Sequence, residues 1–254
     1  MDLGFYGKTV IVTGGTKGIG SGITEVFAEE GANLIIDYRS DVEGSESFIA
    51  GIREKYHVDA YGIQADVSKP EDVIRIFDFA EEKFGRLDVL INNAGGGKTT
   101  MICDISLEEW KDALDNNVTG MFMMCQEFAK RLIAKEKKGY IVNLLSKASL
   151  TTTTKGRACY VTNKAAEMGL TKQLAVDLSE KGIIVNGIMP GSVINKMMAT
   201  WSKEEMEARA QRSPIKRLGE PYEFGKMVAF LASEQNTLSV GAPVDNTGGM
   251  MLGF

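Results

Sequence analysis

The feature that narrows the fold most is an alternation: short apolar runs rich in β-branched residues take turns with amphipathic stretches along most of the chain. Thr9–Thr13 (TVIVT), Asn33–Asp37 (NLIID), Val58–Gln64, Leu87–Asn92 (LDVLIN), Tyr140–Leu145 (YIVNLL) and Ile183–Met189 (IIVNGIM) read as strands. Most lack the polar alternate of a half-exposed strand, the pattern expected of strands covered on both faces. Between them lie segments of helical period: Gly18–Glu30, closed by Gly31; Asp41–Tyr56; Lys69–Phe84, with Pro70 near its start; Leu107–Lys135; and Ala158–Lys181. After Pro190 the pattern loosens, and helices near Ser202–Gln211 and Pro221–Ser233 precede a last strand near Ser239–Val244. Repeated strand–helix–strand units predict an α/β fold: a Rossmann-like three-layer α/β/α sandwich with a mostly parallel sheet. No linker, repeat or low-complexity tract interrupts the 254 residues, so one domain, 1–254, is expected to carry every site.

Composition excludes several classes of function. A net charge of −5 gives no electrostatic reason to bind nucleic acid or an anionic membrane. Three widely spaced cysteines, Cys103, Cys125 and Cys159, form neither a disulfide framework nor a metal site, and His57 is the single histidine. A histidine-based triad and a histidine-rich metal centre are therefore not expected, and no metal is. The opening MDLGFYGKTVIVTGG carries no signal-peptide pattern, no stretch reaches the roughly 18 apolar residues of a membrane span, and cytoplasmic residence is the expectation.

The first strand runs straight into Thr13-Gly14-Gly15-Thr16-Lys17-Gly18-Ile19-Gly20, which opens a helix. Glycines at a strand–helix turn let the backbone approach a pyrophosphate seated on the helix N-terminus, and this placement predicts dinucleotide binding. Asp37, about twenty residues on, ends the second strand, where an acid would accept from a ribose 2′-hydroxyl. Arg39 and Lys17 are cations suited to a 2′-phosphate. Asp66-Val67 and Asn93-Ala94-Gly95 follow strands three and four, at the strand ends where ligands bind in such sheets; Asp66 would face an adenine, and Asn93 would brace neighbouring strands.

Tyr160 and Lys164 are four apart on a helical segment and share a face. A free phenol titrates near ~10, and bringing it to about 7 takes roughly 4 kcal/mol of preference for the phenolate. A lysine ammonium one turn away supplies much of that, which gives an acid–base needing no histidine. Tyr222 and Lys226 have the same spacing, so spacing alone does not decide. Tyr160 follows the fifth strand and Ser146, which would donate to the reacting oxygen, and Asn117 in the preceding helix would hold a relay water; Tyr222 has no such neighbours and reads as packing or surface.

With these motifs together, the chain resembles the short-chain dehydrogenase/reductase family over about residues 5 to 249. The matching segments are TGGTKGIG at 13–20, Asp66, NNAG at 92–95, NNVTG at 116–120, Ser146, YVTNK at 160–164, Pro190-Gly191, FLAS at 230–233 and VDNTGG at 244–249. The resemblance implies a seven-stranded sheet, a homotetramer or homodimer built through the two long helices, and hydride transfer between a nicotinamide and a ketone or secondary alcohol. It makes Asn117, Ser146, Tyr160 and Lys164 the catalytic set, with Lys164 also holding the nicotinamide ribose. The cofactor residues it implies are Gly14, Thr16, Lys17, Gly18, Ile19, Gly20, Asp37, Tyr38, Arg39, Asp66, Val67, Asn93, Ala94, Gly95, Tyr160, Lys164, Pro190, Gly191, Val193 and Asn195. The family's NAD-selecting acid falls at Tyr38 here and its NADP-selecting arginine at Arg39, so NADP is favoured over NAD.

The chain departs from the family pattern in several places. Leu145 replaces a frequent serine, and Ser146 stands 14 residues before Tyr160 where 13 is common. Asn163 replaces a serine without expected consequence, Asn195 replaces a threonine, and VDNTGG replaces VDGG. The substrate pocket is expected from loop 94–103, loop 147–158 and segment 192–216, with Met197, Met198 and Trp201; Lys155 and Arg157 would meet an anion or remain solvated. The partner expected is a small carbonyl or alcohol of open identity. A binding or scaffold protein on this fold, and an isomerase or dehydratase using the same cofactor, are the alternatives.

Overall fold

The computed structural model describes residues 2–151, 154–194, 198 and 200–251. Seven strands form one sheet: β1 (Thr9–Val12), β2 (Asn33–Tyr38), β3 (Ala60–Gln64), β4 (Val89–Asn92), β5 (Gly139–Leu144), β6 (Ile183–Pro190) and β7 (Pro243–Asn246). Their order is β3-β2-β1-β4-β5-β6-β7, and every pairing is parallel. Helices α1 (Gly18–Glu29), α2 (Val42–Tyr56), α3 (Pro70–Phe84), α4 (Leu107–Leu114), α5 (Gly120–Ala134), α6 (Ala158–Leu178), α7 (Lys203–Ala210) and α8 (Pro221–Leu231) complete the element list.

Period-2 alternation within the strands divides the core in two. Val10, Val12, Leu34, Ile36, Val89 and Ile91 pack with Ile23, Phe27, Ile49 and Val228 of the helices. Ile11, Ile35 and Leu90 point the other way, onto Ile76, Phe77, Met124, Phe128 and Leu178. Burial on both faces explains why these strands carry no polar alternate. Met121 and Met124 belong to the second core, while Met198 joins Ala210 and Leu218 in a satellite cluster with Trp201. Met197 and Asn195 lie outside the described residues. All three cysteines are free, and His57 is exposed, closing α2 in a left-handed conformation at φ 56. No described helix is long and apolar enough to cross a membrane.

Two expected elements differ. The single helix expected at Leu107–Lys135 is broken by a wide π turn at Asp115–Thr119. There the Ala113 carbonyl accepts from two side-chain amides, Asn117 Nδ2 at 2.7 Å and Asn163 Nδ2 at 2.8 Å. Asn163 thus ties α6 to this turn, a role for which its spacing gave no signal. The last strand starts at Pro243, not Ser239, because Asn186 of β6 takes over the backbone: its Nδ2 donates to Ser239 O at 2.7 Å and its Oδ1 accepts from Ala242 N at 3.0 Å. Sheet pairing begins only at Gly187 and Pro243.

Helix α1 meets α8 backbone to backbone. A Cβ at Gly22 would lie 2.1 Å from the Pro221 carbonyl carbon, and one at Gly225 would lie 2.5 Å from Gly22 O. Tyr222 stands at the same contact, its hydroxyl bonded to Glu29 and Lys226 Nζ 4.8 Å above its ring. This pair is an α1–α8 tie, away from the glycine turn. Gly22→Val should separate the helices at a cost of about 2–3 kcal/mol, which for a chain this size lowers Tm by roughly 5–10 °C; thermal unfolding followed by circular dichroism checks this.

Candidate active site

The sheet order reverses between β1 and β4, and the chain segments leaving these two strands form the site, as the switch point of an open parallel sheet requires. Thr13 and Asn93 tie the two ends together. Thr13 Oγ1 accepts from Asn93 N at 3.0 Å and Ala94 N at 2.9 Å; Asn93 Nδ2 donates to Thr13 O at 2.9 Å and Gly14 O at 3.0 Å. The bracing expected of Asn93 is therefore present, and it includes the glycine turn itself.

The turn is shaped for close approach. Gly14 and Gly18 have φ of +60° and +54°, the left-handed region that favours glycine. A Cβ at Gly20 would lie 2.2 Å from Gly14 O. Lys17, the N-cap of α1, makes no side-chain cap, so the first-turn N–H groups of the helix are not consumed by it. Around the turn, Thr16 Oγ1 lies 3.0 Å from Ser45 Oγ, and Lys17 Nζ lies 2.6 Å from Asp41 Oδ2.

Asp37 lies beneath the turn, not on its open side. It is 2 % exposed, its Oδ2 accepts from Gly14 N at 3.2 Å, and its buried Oδ1 has no partner among the described residues. Burial pushes its carboxyl from 3.8 to about 7, against the Gly14 N–H that favours the charge and with Asp66 and Asp72 adding to the rise. Tyr38 is also buried and its hydroxyl donates to Glu46 Oε1 at 2.7 Å. The side chain at this strand end that reaches solvent is Arg39, with Nη1 2.6 Å from Asn116 Oδ1 and 4.0 Å from Asp66 Oδ2. Asp66 accepts twice from Ser68, at 3.0 and 2.7 Å, and Val67 packs against Gly120.

The catalytic candidates converge from three segments. Ser146 follows β5 in an extended conformation, and its Oγ accepts from Ala148 N at 3.1 Å. Lys164 is buried on α6, where Nζ donates to Leu144 O at 2.7 Å and to Glu167 Oε2 at 2.6 Å. Ser149 Oγ donates to Lys164 O at 2.8 Å, so α6 is tied to the end of β5 on both sides of Ser146. Asn117 Oδ1 accepts from Gly96 N at 2.9 Å, and a Cβ at Gly97 would meet Tyr160 Cβ at 3.3 Å, which brings the loop after β4 against the tyrosine. Both ends of the Asn117 amide are engaged within the protein, and a relay water would rest on a remaining lone pair. Arg157 lies over the Tyr160 ring at 4.2 Å, held by Gly97 O at 3.1 Å.

Pro190 ends β6 and Gly191 follows it; a Cβ at Gly191 would lie 2.5 Å from Thr247 O. Val193 bridges Gly219. The VDNTGG end forms a closed turn, with Thr247 N donating to Asp245 Oδ1 at 2.8 Å and Gly248 at φ +69°.

Two features escaped the sequence reading. Glu167, 1 % exposed, forms a buried ion pair with Lys164; burial pushes its carboxyl up and Lys164 offsets that. The signal was available: an acid three residues after the lysine, on the same helix face. The second is a buried polar chain in which Asn92 Nδ2 donates to Asn143 Oδ1 at 2.8 Å and Asn143 Nδ2 donates to Thr171 Oγ1 at 2.9 Å. It joins β4, β5 and α6 under the site. The hollows of about 400 and 300 Å³ lined by residues such as Lys137 and Lys138 lie beside the strand N-termini, remote from this chemistry.

Comparison with known proteins agrees over the whole chain. Residues 14–251 match the family described as enoyl-(acyl carrier protein) reductase. The chain is 34 % identical over 245 residues to 3-oxoacyl-(acyl-carrier-protein) reductase FabG of Staphylococcus epidermidis, covering 96 % of this chain and 99 % of that protein. It is 35 % identical over 248 residues to glucose 1-dehydrogenase 2 of Bacillus subtilis, covering 97 % and 95 %. The crystal structure of L-sorbose reductase from Gluconobacter frateurii, complexed with NADPH and L-sorbose, superposes with a TM-score of 0.93 at 29 % identity, each chain covered completely.

Asp37 makes stability depend on pH. A carboxyl whose pKa is raised in the folded state favours folding less as pH climbs from its unfolded value towards the folded one. Asn in its place keeps an acceptor for Gly14 N without the charge. Asp37→Asn should therefore gain stability over the wild type as pH rises from about 4 to about 7, by at most roughly 4 kcal/mol, and the gain should stay level above. Urea unfolding across this range checks the sign; an effect independent of pH would rule out ionisation of this group.

Proposed function

The chain belongs to the short-chain dehydrogenase/reductase family and is an oxidoreductase dependent on a nicotinamide dinucleotide; within that frame we propose that it interconverts a ketone and a secondary alcohol with NADP(H), Tyr160 being the acid–base. The observation that carries this reading is the meeting of Lys164 Nζ with Leu144 O, two residues before Ser146, while Gly97 backs Tyr160. Strand five, α6 and the π turn carry Ser146, Tyr160 with Lys164, and Asn117, and their contacts at the strand ends support a shared site.

The turn fits a dinucleotide: any side chain at Gly20 would fill the space under Gly14, and the N-terminus of α1 is left uncapped. Gly14, Thr16, Lys17, Gly18, Ile19 and Gly20 would hold the pyrophosphate, Asp66 and Val67 the adenine, and Asn93, Ala94 and Gly95 the neighbouring ribose. Asp37 and Tyr38 would act from beneath, shaping the wall. Arg39 and Lys17 would hold the 2′-phosphate that distinguishes NADP, and the relative of known structure binds NADPH. Pro190, Gly191, Val193 and Asn195 would face the nicotinamide, and Tyr160 and Lys164 its ribose. When bound, the nicotinamide supplies or accepts the hydride.

The protein's own groups handle the proton. The Ser146 hydroxyl accepts from Ala148 N, and its own hydrogen would donate to a carbonyl oxygen. Tyr160 gives its proton to that oxygen in reduction and takes it back in oxidation. Lys164, fixed by Leu144 O and Glu167, would hold the nicotinamide ribose beside the tyrosine, and Asn117 fixes the loop behind it and would anchor the water that refills the proton.

We also place both sites in one domain over 1–254, acting on a small-molecule substrate in the cytoplasm as a homotetramer or homodimer. Support for assembly comes from apolar and small residues left exposed on α5 and α6: Phe122, Ile133, Ala165, Gly169 and Val176. Light scattering after size exclusion measures it.

Tyr160→Phe should lower kcat at least 100- to 10,000-fold, the range of a lost acid–base, while NADPH affinity by fluorescence titration stays within a few-fold; retained turnover would sink the assignment. Arg39→Ala should raise the KM for NADPH by about 10- to 100-fold, the scale of a charge-assisted contact, and leave that for NADH nearly unchanged; a wild type that strongly prefers NADH, with the preference surviving Arg39→Ala, would overturn the choice of cofactor.

A further inference from the structure

Charge is distributed unevenly around the mouth of the site. The chain has 29 basic and 34 acidic residues, yet the segments 94–103, 146–160 and 208–219 together carry Lys98, Lys147, Lys155, Arg157, Arg209, Arg212, Lys216 and Arg217 and no Asp or Glu. Chance placement in an acidic chain does not favour eight cations without one carboxylate. Asp104, Glu207 and Glu220 flank these segments; Glu207 bonds the Gln211 side chain, Glu205 accepts from Ser202 N at 2.7 Å, and Arg217 alone of the eight is paired with an acid among the described residues, Glu223 at 2.7 Å.

Three of these cations, Lys147, Arg209 and Arg212, are connected through the C-terminal tail. Lys147 is the next residue after Ser146, and its Nζ lies 4.0 Å from Met250 Sδ of the C-terminal tail. The tail packs between loop 147–151 and the residues after α7: Thr151 Oγ1 lies 4.0 Å from Met251 Sδ, and Ser213 Oγ donates to Gly248 O at 2.7 Å. Arg209 lies in the last turn of α7, and Arg212 lies in the turn after it, next to the Ser213 that holds the tail. Burial, then the charges of Arg209 and Arg212, push the Lys147 ammonium below its ordinary range, and burial and Arg212 do the same to Arg209. None of the three has a salt-bridge partner among the described residues, and Arg209 Nε is buried with no acceptor. Mutually repelling cations with an unspent buried donor are a destabilising arrangement that a bound anion would relieve. A fourth cation, Arg157, lies over the ring of Tyr160.

We propose that Lys147, Arg209 and Arg212 form an anion site beside the reacting carbonyl, and that the substrate is a keto or hydroxy compound carrying a carboxylate or a phosphate. The proposal rests on the hydride-transfer reading above and adds the class of substrate to it.

Two charged–neutral pairs test it: acetoacetate against methyl acetoacetate, and dihydroxyacetone phosphate against dihydroxyacetone. Each is followed by NADPH consumption, with wild type and with Lys147→Gln/Arg212→Gln. In parallel, malonate and inorganic phosphate are titrated calorimetrically into the NADPH-loaded proteins. In at least one pair the anionic member should have a kcat/KM at least tenfold above its neutral partner. That ratio should fall at least tenfold in the double variant, and saturable binding of the matching simple anion should be lost with it. The pair that responds tells carboxylate from phosphate. Exposed Arg212→Gln alone serves the same comparison if the double variant does not fold. Equal turnover within both pairs, or a preference unmoved by the substitutions, overturns the anion site and leaves hydride transfer standing. Variant-sensitive anion binding without turnover of any probe supports the site and counts against the hydride-transfer reading.

Discussion

Thr13 and Asn93 hold together the ends of two strands whose onward chains run in opposite directions across the sheet. Two hydrogen bonds between them, with one from Asn93 to Gly14 O and one from Ala94 N to Thr13, all at 3.0 Å or less, fix the glycine turn against the loop after β4. A parallel sheet leaves a crevice at such a reversal because the two flanking connections go to opposite sides. In this chain the proposed cofactor wall lies on the β1 side and the proposed chemical wall on the β4–β5 side, and the Thr13–Asn93 clamp is the joint between them. Asn117 extends it by holding Gly96, and Gly97 then backs Tyr160. The position of the tyrosine relative to the glycine turn is set through this series of short contacts.

The chemical wall is held from below by buried polar groups. Lys164 is fixed by a strand carbonyl and by Glu167, and the Asn92–Asn143–Thr171 chain links the same strands to the same helix. Burying an ion pair is costly unless geometry is good and the remaining lone pairs are satisfied. Its retention beside Tyr160 is understandable if what it secures is placement of the ammonium and not net stability. The π turn at Asp115–Thr119 belongs to the same support. It releases the Ala113 carbonyl to two asparagine side chains and so aims Asn117 at the loop after β4.

Electrostatics distinguishes the two ends of the crevice. At the cofactor end each cation has an acid beside it, Lys17 with Asp41 and Arg39 with Asp66, and the buried Asp37 lies below. At the substrate end Lys147, Arg209 and Arg212 have no such partner among the described residues. A net charge of −5 conceals this division, because total charge says nothing about where charges meet.

Much of the architecture was legible from residue order alone. Apolar strands and amphipathic helices are local patterns, and each of the expected strands appears in the sheet, most within a residue or two. The glycine turn and the Tyr160–Lys164 pair were equally visible, since both depend on spacing within one turn. What the sequence could not supply were contacts between distant segments. Asn186 replaces the first ladder bonds of β7, Asn163 reaches Ala113 across fifty residues, and Asp37 is buried under Gly14 where its spacing suggested an open ribose acceptor. Tyr222 and Lys226 share the spacing of Tyr160 and Lys164, and only packing against Glu29 of α1 places them elsewhere. The sequence by itself determined the fold class and the types of residue at the site, because these follow from periodicity. Tertiary structure alone decided which of them meet, which are buried and which cations stand unpaired, because burial and electrostatics depend on distances that the order of residues does not contain.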